Sequence, residues 1–218
     1  MQSCANSHRA GVALLWLIAA ATPVTAAAPR PPAAPGTTSI TFDGDSSEVN
    51  GADGSITTVN ATLAEVGALG AVLKSVTADK IRTSALDQRD QTIECSGHVV
   101  FVTREGRLTG ELATIKIARG SIVQAVITGK PASFDEQSPE VAIDRRLRAQ
   151  TDEIRYDASS ATLTFTGGVF LRMEAVGELR GYRANYSFAT HRARIEKGND
   201  ERSRGTLWRK PQGNGSTP

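Results

Sequence analysis

Residues able to do chemistry are sparse in this chain, and three groupings hold the candidates. Cys95 and His98 stand at C-x-x-H spacing, which suits two ligands of a zinc site. No second ligand pair follows, and a strand with alternating faces sends Cys95 and His98 to opposite sides. Asp43-x-Asp45-x-Ser47 opens like a calcium loop. Glu48 holds the sixth position, where the sharp turn needs glycine, so the segment reads as an acidic loop. The third grouping is cationic: Arg180, Arg183, Arg192 and Arg194. Guanidinium groups in such a row either take phosphate oxygens in bidentate pairs or form a solvated strand face. His-Glu-x-x-His, Gly-x-Ser-x-Gly, the phosphate-binding Gly-x-x-x-x-Gly-Lys-Ser/Thr and the dinucleotide glycine fingerprint are all missing. At 5% aromatic residues the chain is also poor in the stacking platforms of a polysaccharide-acting enzyme. Neither enzymatic activity nor a cofactor is expected.

The elements that must position these residues are strands. Apolar residues alternate with polar ones at Ile93, Cys95, Val99 and Phe101, at Ile115 and Ile117, and at Leu163, Phe165, Val169, Leu171 and Met173. Turn signals separate the runs at Arg104-Glu105-Gly106, Ala118-Arg119-Gly120, Thr128-Gly129-Lys130-Pro131 and Tyr156-Asp157-Ala158-Ser159-Ser160. An internal repeat links Gly97-His98-Val99-Val100-Phe101 with Gly167-Gly168-Val169-Phe170-Leu171. Repeated hairpins of this kind stack into a ladder, each covering its neighbour's apolar side. The expected fold is all-β and a single domain. One stretch, Asn60 to Leu73, has Leu63, Val66, Leu69 and Leu73 at near-helical spacing after a possible Asn60 cap, with Gly67 and Gly70 against a helix. Strands apolar on one side and rich in Arg, Glu, Thr and Ser on the other give a sheet with one dry face. Two such faces either close as a sandwich or stay splayed around an apolar ligand.

The ends read differently. Residues 1–26 carry a basic start at Arg9, an apolar run from Gly11 to Ala21 and small residues before Ala26, the pattern of a cleavable secretory leader. The run is shorter than the roughly 20 residues of a membrane span. Residues 27–38 are expected to be a Pro/Ala-rich linker, residues 39–210 the folded domain, and residues 211–218 a disordered tail. Cleavage after Ala26 leaves Cys95 as the one cysteine, so no intrachain disulfide is possible, and its strand pattern makes Cys95 a small buried filler. Charge is split: residues 27–143 carry a net −4 and residues 144–218 a net +5, an asymmetry suited to head-to-tail attraction or to a phosphorylated ligand at the basic end.

Three segments, Gly97-His98-Val99-Val100-Phe101-Val102, Thr128-Gly129-Lys130-Pro131-Ala132-Ser133-Phe134 and Ala149-Gln150-Thr151-Asp152-Glu153-Ile154-Arg155-Tyr156-Asp157, resemble the OstA-like family of lipopolysaccharide export proteins. The resemblance runs in register from about Leu73 to Trp208 and includes Leu163 to Val169, Leu179-Arg180-Gly181 and Gly205-Thr206-Leu207-Trp208. It implies an open, twisted β-jellyroll of stacked antiparallel strands with a V-shaped cross-section, located in the periplasm. It implies lipopolysaccharide as ligand, with lipid A acyl chains in an apolar groove, and a bridge between an LptC-like inner-membrane protein and an LptD-like outer-membrane translocon. Copies would join head to tail into a homo-oligomer. Residues 39–72 lie beyond the usual core, either as extra ladder strands or as a cap.

On that basis the lipid groove is assigned to Ile93, Val99, Phe101, Ile115, Ile117, Phe134, Leu163, Phe165, Val169, Leu171, Tyr186 and Phe188, and Arg180, Arg183, Arg192 and Arg194 are assigned to phosphates at its mouth. The joining edges are expected near Ser39 to Phe42 or Lys74 to Ile81 and near Gly205 to Trp208. Three alternatives stay open: an LptC-like module tethered to the inner membrane, a secreted β-solenoid without a lipid ligand, and a polysaccharide-acting enzyme.

Overall fold

Alternation of buried and exposed residues holds along each long strand up to its middle and there changes phase. The computed structural model describes residues 38–84, 90–196 and 202–208. The leader and the tail, and all of the linker before Thr38, lie outside the described residues. Eight long strands form the body: β3 (Ile56–Val66), β4 (Val72–Thr83), β5 (Asp90–Val102), β6 (Gly106–Ala118), β7 (Ser121–Glu136), β8 (Arg148–Asp157), β9 (Thr162–Met173) and β10 (Gly177–Ser187). Four short ones flank them: β1 (Ser39–Asp43), β2 (Ser46–Val49), β11 (Arg192–Glu196) and β12 (Arg204–Leu207). The order is β1-β3-β4-β5-β6-β7-β8-β9-β10-β11, antiparallel throughout, with β2 also on β3 and β12 also on β10.

The phase change marks a corner. In β4 the buried set is Val76 and Ala78 before it and Ile81 and Thr83 after it; in β6 it passes from Leu108 to Ala113, Ile115 and Ile117. Register breaks between Thr77 and Lys80, Ser96 and Val99, Thr109 and Leu112, Thr128 and Ala132, Gln150 and Glu153, and Gly181 and Arg183 line up across the sheet. Aligned bulges bend every strand at the same level, so one sheet folds over on itself and each long strand contributes to two layers. Ring contacts prove the folding-over. Phe101 on β5 and Tyr156 on β8 are three strands apart, about 14 Å along a flat sheet, yet their centroids are 5.3 Å apart.

Local chemistry explains where the bends fall. Pro131 has no N–H to give, and it sits in the gap of the β7 ladder between Thr128 and Ala132. The repeated glycines occupy matching corners on β5 and β9: Gly97 has φ +74 and Gly167 φ +83. A side chain at either position would run into an aspartate of the preceding strand, Asp79 or Asp152. This corrects one expectation, because Thr128-Gly129-Lys130-Pro131 is a mid-strand corner and not a hairpin turn. The turns at 104–106, 118–120 and 156–160 are hairpin ends. At the last of these, Asp157 accepts the N–H groups of Ser159 and Ser160 at 2.9 and 3.0 Å, and hydrogen bonds from Ser159, Ser160 and Gln124 hold its carboxyl well below the usual carboxylate range.

A second correction concerns Asn60 to Leu73. Most of it is strand β3, with a single 3-10 turn at Ala68–Gly70. Asn60 is a corner residue with φ +47 whose side-chain amide donates to Asp45 at 2.7 Å. Leu63 is packed inside while Leu69 and Leu73 face solvent, so the leucine spacing never formed one apolar stripe. Residues 39–66 therefore add ladder strands. Their partner edge is symmetrical with the far end: β1 and β12 border one layer, β2 and β11 the other.

Gly167→Ala is expected to lower stability by about 2 kcal/mol or more, from positive φ plus the collision with Asp152. Gly168→Ala, where open space awaits a Cβ, should cost less. Urea-unfolding midpoints measure both, and equal losses would contradict the corner account.

Candidate functional site

The dry faces of the two layers meet along the whole ladder. Near β3 to β6 the interior is aliphatic apart from Phe101, built on Leu63, Val76, Ile81, Ile93 and Ile115; toward β7 to β10 it becomes aromatic. There Phe134 lies 6.2 Å from Phe165 and 6.1 Å from Phe188, and Tyr186 meets Phe188 edge-on at 5.5 Å. All twelve residues assigned to the groove are brought together here, and each is 7% exposed or less. The sheet is open, since its first and last strands never pair, but the space between its layers is filled by these side chains. An acyl chain could enter only where the layers part.

Opposite the corner, the hairpin turns of one layer face those of the other, and two buried carboxylates tie them together. Glu65 and Glu136 are 3% and 4% exposed. Each occupies the last interior-phase position of its strand before a turn: Ala61, Leu63, Glu65 on β3, and Ala132, Phe134, Glu136 on β7. Glu65 accepts the Ile122 N–H at 2.9 Å and the Lys74 ammonium at 2.8 Å, and that ammonium also donates to the Ile122 carbonyl at 3.1 Å. Ile122 is four strands away in the ladder, so this contact spans the two layers. Glu136 accepts the Leu147 N–H at 2.8 Å and the Tyr186 hydroxyl, and its Oε1 lies 3.0 Å from His191 Nδ1. Burial first, then the Glu136 hydrogen bond and charge, push the Tyr186 phenol far above its ordinary value. Paired in this way the two carboxylates are satisfied, which the interior requires of any charge it holds.

Composition did not reveal these residues. The available signal was phase: a glutamate in register with buried neighbours at the end of an otherwise apolar strand face. Tyr156 also lies in the interior, its phenol raised by burial and then by the charges of Glu105, Glu65 and Asp157.

The four arginines do not form one cluster. Arg183, Arg192 and Arg194 are exposed on the second layer, whereas Arg180 lies on the first, its guanidinium 4.6 Å from the Phe170 ring centroid. Arg180 and Arg183 flank the corner, away from the turns that border the mouth. Cys95 is buried, and burial pushes its thiol up to about 12; His98 faces out with Nδ1 2.8 Å from Asp79. Among the described residues no three potential metal-ligating side chains converge.

No family model and no curated protein matches the chain. Among solved structures it is similar to LptH of Pseudomonas aeruginosa, described as the LptA-homologous periplasmic component of the conserved lipopolysaccharide transport device. The two are 14% identical, with a TM-score of 0.45 over 79% of this chain and 95% of that one.

Removing Glu65 by Glu65→Ala leaves the Ile122 N–H unsatisfied and the Lys74 ammonium without its counter-charge, and should cost about 3 kcal/mol. Tyr186→Phe removes one of Glu136's donors and should cost about 1 kcal/mol. Chemical denaturation of the two variants, read against the parent, checks that order.

Proposed function

We propose that this protein is a periplasmic carrier of lipopolysaccharide that holds lipid A acyl chains between its two layers and bridges inner and outer membranes as part of a strand-joined chain of copies. One observation carries the reading: an apolar interior runs the length of the ladder and is closed on one side by hydrogen bonds of Glu65 and Glu136, not by strand pairing. Side-chain latches can open and reclose without unzipping a ladder. The OstA-like sequence pattern supports the same conclusion.

Energetics favour such an interior over a sealed pocket. Burying a saturated chain gains about 0.8 kcal/mol per methylene, so a twelve-carbon chain gains on the order of 10 kcal/mol. Full enclosure of several chains would make release prohibitively slow, whereas a side that opens lets them slide. In this reading the twelve interior residues, Ile93 to Phe188, become the acyl contacts once the layers part, and Arg192 on β11 stands nearest the mouth to meet a headgroup.

Joining uses the free edges. Among the described residues β1 and β2 each pair only with β3, and β11 and β12 only with β10, so each end offers unpaired N–H and C=O groups in both layers. Asp43 and Glu48 lie on the first pair of edges and Arg192, Arg194 and Arg204 on the second, which favours head-to-tail register. An LptC-like protein at one end and an LptD-like translocon at the other would be met through the same edges.

A photo-crosslinking residue at Phe101, Phe165 or Val169 is expected to capture lipopolysaccharide in cells. Adducts formed only from Thr164 or Thr166, whose side chains point to the opposite face, would reject the interior as the binding site. Deleting Gly205 to Pro218 should leave a folded monomer that no longer forms concentration-dependent chains in light scattering; unchanged assembly would count against joining at β12.

A further inference from the structure

A row of three residues crosses the outer face of the first layer near the corner. Phe170 on β9 is directly opposite Arg180 on β10, and Arg180 is directly opposite Arg204 on β12. Like charges placed opposite each other on neighbouring strands repel. Among the described residues no carboxylate lies within 4.0 Å of Arg180, Arg202 or Arg204, as is also true of Arg183, Arg192 and Arg194, while Arg82, Arg104, Arg148, Arg155 and Arg172 each have at least one; what distinguishes the three is that they share one cleft. The carboxylate one row-pair away, Glu178, is engaged by Arg172 at 3.9 Å.

Arg180, Arg202 and Arg204 line one cleft of about 520 Å³ together with Gly168, Phe170 and Gly181. Three other surface clefts with arginines also contain acids: Asp135 and Glu174 in one, Asp53 and Glu94 in another, Glu140 and Asp144 in a third. The internal repeat shows how the space arises. At the equivalent corner of β5 the position of Gly168 is His98, whose ring folds onto Asp79; at Gly168 nothing stands within 4 Å of where a Cβ would be. Arg180 is held by stacking on Phe170 at 4.6 Å, so its planar fork is oriented before any ligand arrives.

We infer that the Arg180–Arg202–Arg204 cleft binds a phosphate ester carried on a sugar-sized group. A dianion relieves the repulsion between Arg180 and Arg204 and accepts paired hydrogen bonds from planar guanidinium groups. The volume exceeds what a bare phosphate fills and falls within the range of small-molecule sites. Binding here leaves the interior shut, so the inference stands or falls apart from acyl-chain carriage.

The test titrates the full protein with glucose 1-phosphate, with glucose as the uncharged control, and with phosphatidylcholine vesicles doped with phosphatidic acid. Arg202→Gln/Arg204→Gln should weaken glucose 1-phosphate binding about tenfold or more, while Arg107→Gln, on the same layer but outside this cleft, leaves it unchanged. The thermal midpoint of the parent should rise with glucose 1-phosphate, and that of the double variant should not. Binding of the soluble ester identifies a free sugar phosphate; Arg204-dependent attachment to doped vesicles alone identifies a lipid headgroup; either supports the site. Equal loss in Arg107→Gln, equal binding of glucose, or no difference between parent and double variant overturns it. Arg180→Gln supplies an independent variant on a strand interior, and a folded Arg180→Gln protein with parental affinity also overturns it.

Discussion

The bend at the aligned bulges is the constraint from which the rest of the structure follows. Because each long strand turns the corner at the same level, every long strand is shared between two layers, and neither layer can be assembled without the other. That arrangement produces an interior from a single sheet, without the crossover loops of an ordinary sandwich. It also makes the two sides of the interior unequal: the corner is continuous backbone, and the far side is a line of hairpin turns that only side chains can bridge. Glu65 and Glu136 do the bridging, through Ile122 and through Tyr186 and His191. The proposed carriage of long apolar chains would use a side of this second kind.

The energetic asymmetry matters for function. Corner residues such as Gly97 and Gly167 face aspartates so closely that no side chain fits, which fixes the hinge line sterically. The latches that cross between the layers are the Ile122 N–H to Glu65, the Lys74 ammonium to the Ile122 carbonyl, and the Tyr186 hydroxyl and His191 imidazole with Glu136. Each is modest in net stability because its partners are well solvated when released. The aromatic cluster around Phe134, Tyr186 and Phe188 sits directly under the Glu136 latch, so parting the layers there would expose aromatic side chains first.

Much of this was legible in the sequence, for local reasons. Alternation located the strands through Ile93 to Phe101 and Leu163 to Met173, and glycine with polar residues located the turns at 104–106, 118–120 and 156–160. What was not legible depended on the third dimension. A break in alternation looks the same whether the chain reverses or bends, so Thr128 to Pro131 read as a turn although it is a corner. The leucines at 63, 69 and 73 kept helical spacing while belonging to a strand, a 3-10 turn and the start of the next strand. Which layer an arginine decorates depends on which side of the corner it falls, and this separated Arg180 from Arg183, Arg192 and Arg194 and joined it to Arg202 and Arg204. Glu65 and Glu136 were hidden because a lone acid in a buried phase reads as an interruption and not as a latch.

The central claim is that the turn-lined side parts when an acyl-bearing ligand is present while the corner stays fixed. The direct measurement is the distance between spin labels at Glu105 and Ser159, on facing turns of the two layers, with a second pair at His98 and Asp152 along the corner as reference; Cys95, buried, stays unlabelled. The account predicts that lipopolysaccharide lengthens the first distance by several ångströms and leaves the second unchanged. A first distance that stays the same at saturating lipopolysaccharide, or one that grows only together with the second, would contradict it.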